Sequence, residues 1–356
     1  MDLILNDNKI PSKIDNVDLL RVFGIGIVVL RHCFMPFTGS WGFDDLYPYS
    51  NTANIFGKYI STISMPLFTF ISGFIYSYLR NYLHKYSSYS ILIKKKIKRL
   101  VVPYLIISPL YIYFFLEYNS AIDFLKYLWT GGAGHLWFLS MIFTVFLVFY
   151  PLEPYLRKNI KWGIILVLFL FSLNPITWYI GIPVLAKFFK YLPFFYLGYL
   201  FYYKNKLILK YINGKFWYFF LLHLLLFFGL LYLPNYIENR IINILIAHFK
   251  LIPLGFLSIT FIFISFNKLD RELPNKFRLP VKFINKNSYY IYLIHQPLLI
   301  LLFELKFMQS LPALAVIIIS FTFSFIISLA LGEVIMKFKI GRIIIGAETN
   351  RIKLKI

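Results

Sequence analysis

Two ionisable residues, Arg21 and His32, interrupt the first apolar segment of the chain. On an α-helix, residues eleven positions apart lie about 20° apart around the axis and roughly 16 Å apart along it. Ionisable side chains are costly inside a membrane, and those present usually serve a transport pathway or a reaction. An imidazole can take a proton from a hydroxyl group near neutral pH, and a guanidinium can hold a phosphate through two hydrogen bonds. The pair therefore predicts a site along one face of the first helix.

Structural roles compete with this chemistry. A buried His32 would also suit a simple hydrogen bond to a neighbouring helix. Arg21 would suit an ion pair with Asp18, three residues earlier on the same face, or a side chain extended towards the membrane surface. Arg31 is rotated by about 80° from Arg21, so it points either to the site or to the outer interface. The sequence leaves these alternatives open.

Two later segments carry further candidates. A glycine-rich loop over 131–134 precedes His135 and Trp137. His135 would assist a reaction or bind a sugar hydroxyl, and Trp137 would stack on a sugar. The structural alternative is a helix cap followed by a tryptophan anchored at the membrane interface. Ser288, Tyr292 and His295 share roughly one helix face. If their helix enters from the cytoplasm near residue 284, His295 lies about 16 Å deep and needs a polar partner. We expect either a polar core shared with the first helix or a purely structural hydrogen bond.

The composition excludes a soluble protein. Of 356 residues, 59% are hydrophobic, 21% are aromatic and only 15% are charged, which is too little polar surface for a soluble domain of this length. The chain is therefore expected to form one all-α membrane domain over residues 1–356, with no fused soluble domain. Ten transmembrane helices are predicted at about 17–35, 55–79, 100–118, 135–152, 161–181, 188–203, 214–233, 250–267, 284–304 and 312–336.

The net charge of +22 indicates membrane orientation rather than nucleic-acid binding. Of the 37 Lys and Arg residues, 28 fall on the side of the two termini and seven on the other side, while Arg21 and Arg31 lie within the first helix. Basic loops stay in the cytoplasm, so both termini are predicted to be cytoplasmic. Cys33 is the only cysteine, which excludes an internal disulfide and a cysteine-based metal site.

Six segments occur in a suggestive order along the chain. They are residues 18–32 with Asp18, Arg21 and His32, residues 66–74, the basic run that ends at Lys98 and Arg99 before Pro103, residues 135–139, residues 194–198, and residues 288–295. From about residue 15 to residue 337, this pattern resembles the bacterial membrane acyltransferases called acyltransferase type three. That family includes O-acetyltransferases of cell-surface polysaccharides.

The resemblance implies a ten-helix enzyme of the bacterial cytoplasmic membrane. It would take an acyl group, usually acetyl, from cytosolic acyl-CoA and esterify a hydroxyl of a surface polysaccharide or of its lipid-linked precursor. Beyond this donor and acceptor, we expect contact with membrane lipids but no permanently bound cofactor, metal or nucleic acid.

The resemblance also assigns roles to residues. It maps the essential Arg and His of the family onto Arg21 and His32, and its basic cytosolic loop onto Lys96 and Arg99; the family commonly has arginine where Lys96 stands. Arg21 would then act in catalysis and, with Lys96 and Arg99, in donor binding. The expected acceptor-binding or supporting residues are Asp18, Arg31, His135, Trp137, Ser288, Tyr292 and His295.

The chemistry and the class of protein both have alternatives. His32 would deprotonate the acceptor hydroxyl directly or first accept the acyl group itself, and Arg31, Trp137 or His295 would stabilise the oxyanion. In a transporter or flippase of a lipid-linked glycan, the same residues would line a pathway instead. A structural subunit of a polysaccharide export complex is a further alternative. Broken-helix repeats, which would favour a transporter, are not visible in the sequence.

Overall fold

The structure, a computed structural model, describes residues 15–39, 41–43 and 45–346. Within these ranges the chain forms helices and no strand. The predicted all-α membrane fold is confirmed. The α-helices are α1 Asp15–Cys33, α2 Asn51–Asn81, α3 Tyr89–Lys96, α4 Val102–Phe115, α5 Ala121–Thr130, α6 Trp137–Lys158, α7 Ile160–Ser172, α8 Asn174–Tyr179, α9 Pro183–Tyr203, α10 Asn205–Ile212, α11 Phe216–Tyr232, α12 Arg240–Phe249, α13 Leu251–Glu272, α14 Asn275–Phe303, α15 Lys306–Gln309, α16 Ala313–Lys337 and α17 Lys339–Ile344.

Every predicted span overlaps a helix of this series. Among the described residues, seven helical segments are long and apolar enough to cross a membrane. The other predicted spans correspond to α1, α9 and α14, which carry many of the candidate polar side chains. The number of crossings and the cytoplasmic termini remain predictions. Part of the charge count behind them, including Lys9, Lys13 and the basic residues after 346, lies outside the described residues.

Two spans differ from a single regular helix. A π-helical turn over Ile97–Val101 joins α3 to α4, so the chain enters the predicted third span without a break. The predicted fifth span is divided into α7 and α8, because Leu173 leaves the helix just before Asn174 and Pro175. Proline is readily accepted in the first turn of a helix, which explains why a new helix starts there.

Helices α2 and α9 form the closest backbone contact of the bundle. A Cβ atom on Gly73 would lie 2.0 Å from the carbonyl oxygen of Phe195. A Cβ atom on Gly198 would lie at the same distance from the carbonyl oxygen of Phe70. Small residues permit such approach between membrane helices, where packing rather than water exclusion drives association. Six further helices contact one or both of them: α1, α6, α7, α8, α10 and α13.

Helices α1 and α14 run in the same direction and face each other through polar side chains. Near the start of α1, Asn285 Nδ2 donates to Asp18 Oδ1 at 2.5 Å. Near its end, His32 contacts His295. We call the end of the bundle where α1 starts the basic end, because the exposed Lys94, Lys95 and Lys98 lie there; the other is the opposite end. We call this interface, with polar contacts near both ends of α1, the polar seam.

Candidate functional site

A cavity of about 360 Å³ lies on the basic-end side of this seam. Three cations from separate elements line it: Arg21 of α1, Lys96 of α3 and Arg99 of the π-helical turn. Ser288, Tyr289 and Tyr292 of α14 form part of the same wall. The structure therefore brings together five residues that sequence analysis selected from three distant segments, and adds Tyr289.

Aromatic rings and the backbone fix the positions of the two loop cations. Lys96 Nζ lies 3.6 Å from the centroid of the Phe146 ring, and the Arg99 guanidinium lies 5.3 Å from the centroid of the Tyr289 ring. The Tyr289 hydroxyl also donates to the carbonyl oxygen of Arg99. Cations above aromatic faces are stabilised by the ring quadrupole. Lys96 thus retains a defined position although it lacks the planar fork of an arginine.

The electrostatics of the cavity favour an anion with several charges. Arg21 and Arg99 lie within electrostatic range of each other and of Lys96. Asp18 also lies within range of Arg21, but its carboxylate accepts the hydrogen bond from Asn285. Arg21 Nη2 is 3.5 Å from Ser288 Oγ, whose own hydrogen bond goes to the carbonyl oxygen of Asn285. Neighbouring cations repel one another, and a polyphosphate bound among them would relieve that repulsion.

Beyond the cavity, α1 and α14 bring two histidines into direct contact. His32 Nδ1 lies 2.8 Å from His295 Nε2, and both rings are buried. The His32 ring also stacks on Trp41, with 5.2 Å between ring centroids. Trp41 has φ +73°, a left-handed conformation that costs a bulky residue about 1–3 kcal/mol and is typical of functional sites.

The hydrogen bonds of His295 determine which nitrogen of His32 is free. His295 Nδ1 lies 3.0 Å from the carbonyl oxygen of Ile291 and 2.8 Å from that of Tyr292. Carbonyl oxygens only accept, so Nδ1 carries the proton, and the Nε2 of a neutral ring must accept. His32 Nδ1–H therefore donates to His295 Nε2. This leaves His32 Nε2 with a lone pair, as a general base requires.

A third imidazole adjoins this pair. His135 packs edge-to-face against His295, with ring centroids 4.8 Å apart. Its Nδ1 and its backbone nitrogen each donate to Gln296 Oε1 at 2.5 Å, and the Tyr292 hydroxyl donates to its carbonyl oxygen at 2.5 Å. His135 Nε2 is buried and has no hydrogen-bond partner among the residues that the structure describes. Gln296 was not selected from the sequence, although a glutamine beside His295 in an apolar helix was a usable signal.

Three aromatic rings of the cavity wall form a cluster, and one of them, Tyr292, also contacts His135 and His295. Phe68, Phe138 and Tyr292 line the cavity and pack on one another, with ring centroids 5.2–6.1 Å apart. Neither His32 nor His295 is among the described residues that line the cavity. We call these three rings the aromatic partition.

The structure places Arg31 and Trp137 towards the opposite end, apart from the cavity. The Trp137 ring stacks on Tyr191 with ring centroids 5.5 Å apart, and Lys187 Nζ lies 5.0 Å from its centroid. Arg31 lies within electrostatic range of both Tyr191 and His32, and its buried Nε has no hydrogen-bond partner among the described residues. Of the three expected oxyanion donors, a neutral His295 has no free N–H, which leaves Arg31 and Trp137.

Comparison with known proteins gives one finding. A family model described as an acyltransferase domain, of the acyltransferase type 3 family, matches residues 14–333. Comparisons with curated proteins and with solved structures gave no match. The family match spans the cavity, the partition and the histidines, and covers most of the chain. The chain is therefore a multi-pass membrane protein of the acyltransferase type 3 family.

Proposed function

We propose that this acyltransferase moves an acetyl group from acetyl-CoA to a hydroxyl of a surface polysaccharide or of its lipid-linked precursor. The protein would lie in a bacterial cytoplasmic membrane, with its basic end and both termini in the cytoplasm. The observation that carries the proposal is the polar seam between α1 and α14, with a cavity lined by three cations near one end of α1 and a base with a free lone pair near the other.

The cavity suits the donor. Coenzyme A carries several phosphate charges at one end and its thioester at the end of a long flexible arm. Arg21, Lys96 and Arg99 would hold the phosphates, with Arg21 offering a planar fork and Lys96 a point charge. The arm would extend along the wall formed by α14, past Ser288 and towards Tyr292.

His32 would act on the acceptor. Its Nε2 takes the proton of the acceptor hydroxyl while the hydroxyl oxygen attacks the thioester carbonyl. The carbon–sulfur bond then breaks, the ester forms, and the proton on His32 passes to the departing thiolate of coenzyme A. His295 stabilises the imidazolium by accepting from Nδ1–H, and Arg31 supplies positive charge to the oxyanion.

The aromatic partition gives this mechanism a conformational step. The thioester reaches His32 only after the rings of Phe68, Phe138 and Tyr292 separate. Until then they exclude water between the donor cavity and the base, which would protect the thioester from hydrolysis. Partition opening on binding of both substrates is therefore part of the proposal.

Two variants in nanodiscs, assayed with radiolabelled acetyl-CoA and a panel of glycans, test the proposal. His32→Gln should bind acetyl-CoA with unchanged affinity and form at least about 10²-fold less ester, because it lacks the base. Arg21→Ala should weaken acetyl-CoA binding by roughly tenfold or more, because it removes one phosphate contact. Lys85→Ala, an exposed basic-end change outside the cavity lining, is the control and should affect neither quantity.

Three results would contradict the proposal. The first is full ester formation by a folded His32→Gln protein. The second is unchanged acetyl-CoA affinity in Arg21→Ala. The third is movement of a lipid-linked glycan across the membrane without ester formation, which would assign the site to a transporter.

A further inference from the structure

The opposite end of the bundle carries a concentrated group of lysines. By the loop assignment, seven Lys and Arg residues fall on that side of the membrane. Four of them belong to three separate parts of the chain: Lys58 near the start of α2, Lys187 and Lys190 near the start of α9, and Lys250 just before α13. Basic residues are depleted outside the cytoplasm, so a local concentration there needs its own explanation.

The lysines lie close enough to act on one another. Lys250 is within electrostatic range of Lys58 and Lys190, and Lys190 is within range of Lys187. Lys187, Lys190 and Lys250 are only partly exposed, while Lys58 is exposed. Within the described part of the chain, none of the four forms an ion pair. Partly buried cations that repel one another destabilise the fold unless an anion joins them.

An aromatic pair joins this lysine patch to the reaction site. Lys187 Nζ lies 5.0 Å from the Trp137 ring centroid, and Lys190 Nζ lies 5.8 Å from that of Tyr191. The two rings stack on each other, and Arg31, next to His32, lies within electrostatic range of Tyr191. A sugar on this surface would meet the partly exposed Trp137, and a charged substituent on it would find the lysines.

We propose that the lysine patch, Lys58, Lys187, Lys190 and Lys250, is the acceptor subsite for an anionic sugar chain that bears carboxylate or phosphate groups. The proposal rests on the proposed function, because it uses the placement of His32 as the base. To that function it adds the chemical class of the acceptor. The patch holds the charged part of the acceptor, and the neighbouring sugar presents its hydroxyl to His32.

Binding measurements test the proposal without knowledge of the natural acceptor. The full-length protein, in nanodiscs of phosphatidylcholine, is titrated calorimetrically with trigalacturonate, with a hexose monophosphate and with neutral maltotriose. At low salt, at least one anionic probe should bind roughly tenfold or more tightly than maltotriose, and added salt should reduce the difference. The stronger of the two anionic probes identifies carboxylate or phosphate as the preferred group.

Matched lysine variants locate the binding. The double variant Lys187→Gln with Lys190→Gln should lose most of the preference for the anionic probe. The control replaces Lys126 and Lys306 by glutamine; both are exposed, outside the patch and assigned to the same side. It should keep the preference. Because the patch is remote from the donor cavity, acetyl-CoA affinity should be unchanged in both double variants.

Any of the following outcomes would overturn the inference. Equal binding of charged and neutral probes, or no binding at all, would show that the patch is not an anion site. An equal loss in the control would assign the effect to general surface charge. Loss of probe binding in nanodiscs that contain phosphatidylglycerol would assign the patch to lipid headgroups. Acetyl-CoA binding is measured separately, so failure of the donor site is distinguishable from failure of this subsite.

Discussion

At the scale of single residues, the histidine pair shows how one hydrogen bond sets the chemistry of another. The backbone carbonyls of Ile291 and Tyr292 fix the proton of His295 on Nδ1. Nε2 of His295 is therefore a hydrogen-bond acceptor, and it fixes the proton of His32 on the Nδ1 atom of His32. His295 therefore acts through His32: it is a positioning residue that selects a tautomer and supports the charge formed during the reaction.

A conservative and a disruptive variant of His295 should differ. In His295→Gln the amide oxygen can occupy the place of Nε2 and still accept from His32, whereas His295→Leu offers no acceptor. We expect His295→Leu to reduce kcat by about 10²-fold at unchanged KM for acetyl-CoA, and His295→Gln to restore a large part of it. Steady-state kinetics with both substrates varied provides the measurement.

A purely structural role for His295 predicts a different pattern. Both variants would then lose activity in proportion to their loss of thermal stability, and the glutamine would give no selective recovery. Thermal unfolding of each purified variant, recorded beside its kinetics, separates the two explanations.

At the scale of helices, one buried carboxylate joins three elements. Glu153 of α6 accepts from the hydroxyl of Tyr76 of α2 at 3.1 Å and from that of Tyr199 of α9 at 3.0 Å. It also pairs with Arg80 of α2 at 3.2 Å. Arg80 in turn donates to the carbonyl oxygen of Tyr86, which lines the donor cavity together with Tyr76. The network therefore holds part of the cavity wall in place.

Glu153→Gln should destabilise the protein far more than the removal of another acidic residue. It leaves Arg80 without its counter-charge in a largely buried site, which costs on the order of 3 kcal/mol. Glu333 is the matched control: its contact with Lys286, at 3.4 Å, is partly exposed and is worth about 0–1 kcal/mol. Unfolding in a fixed detergent, by heat or denaturant, measures both.

A second substitution makes the test of the network specific. Replacing Arg80 by methionine in the Glu153→Gln protein removes the uncompensated charge and should recover part of the stability. If Glu153→Gln unfolds no more readily than Glu333→Gln, the buried carboxylate does not hold α2, α6 and α9 together.

The sequence predicted which segments form helices better than it predicted which helices contact one another. Apolar segments long enough to cross a bilayer are set by local composition, so every predicted span overlaps at least one helix. Helical periodicity placed Arg21 and His32 on one face, and both do contact α14. Which faces meet is decided by packing between segments far apart in the chain. Periodicity therefore left two roles open for His295, a polar core shared with the first helix or a structural hydrogen bond. It did not identify the roles of Gln296 or Glu153.

At the scale of the whole molecule, the two proposed subsites lie at opposite ends of one bundle. The donor cavity contains the cations of α1, α3 and the π-helical turn, and the lysine patch lies where α2, α9 and α13 begin. In the proposed mechanism, the aromatic partition separates the cavity from the histidines. With substrates on opposite sides of the membrane, such an arrangement lets each bind from its own compartment, and only the acyl group needs to cross the partition. The direction of transfer then depends entirely on which end faces the cytoplasm.

Cysteine labelling tests that orientation directly. The native Cys33 is fully buried, and Cys33→Ser gives a cysteine-free background. Lys85→Cys places a thiol in an exposed position at the basic end, and Lys126→Cys places one in α5, beyond α4. A membrane-impermeant maleimide should label Lys85→Cys only in inside-out vesicles and Lys126→Cys only in right-side-out vesicles, because basic loops remain in the cytoplasm. Labelling of both positions from the same side would mean that α4 does not cross the membrane, and the assignment of the lysine patch to the outer surface would then be wrong.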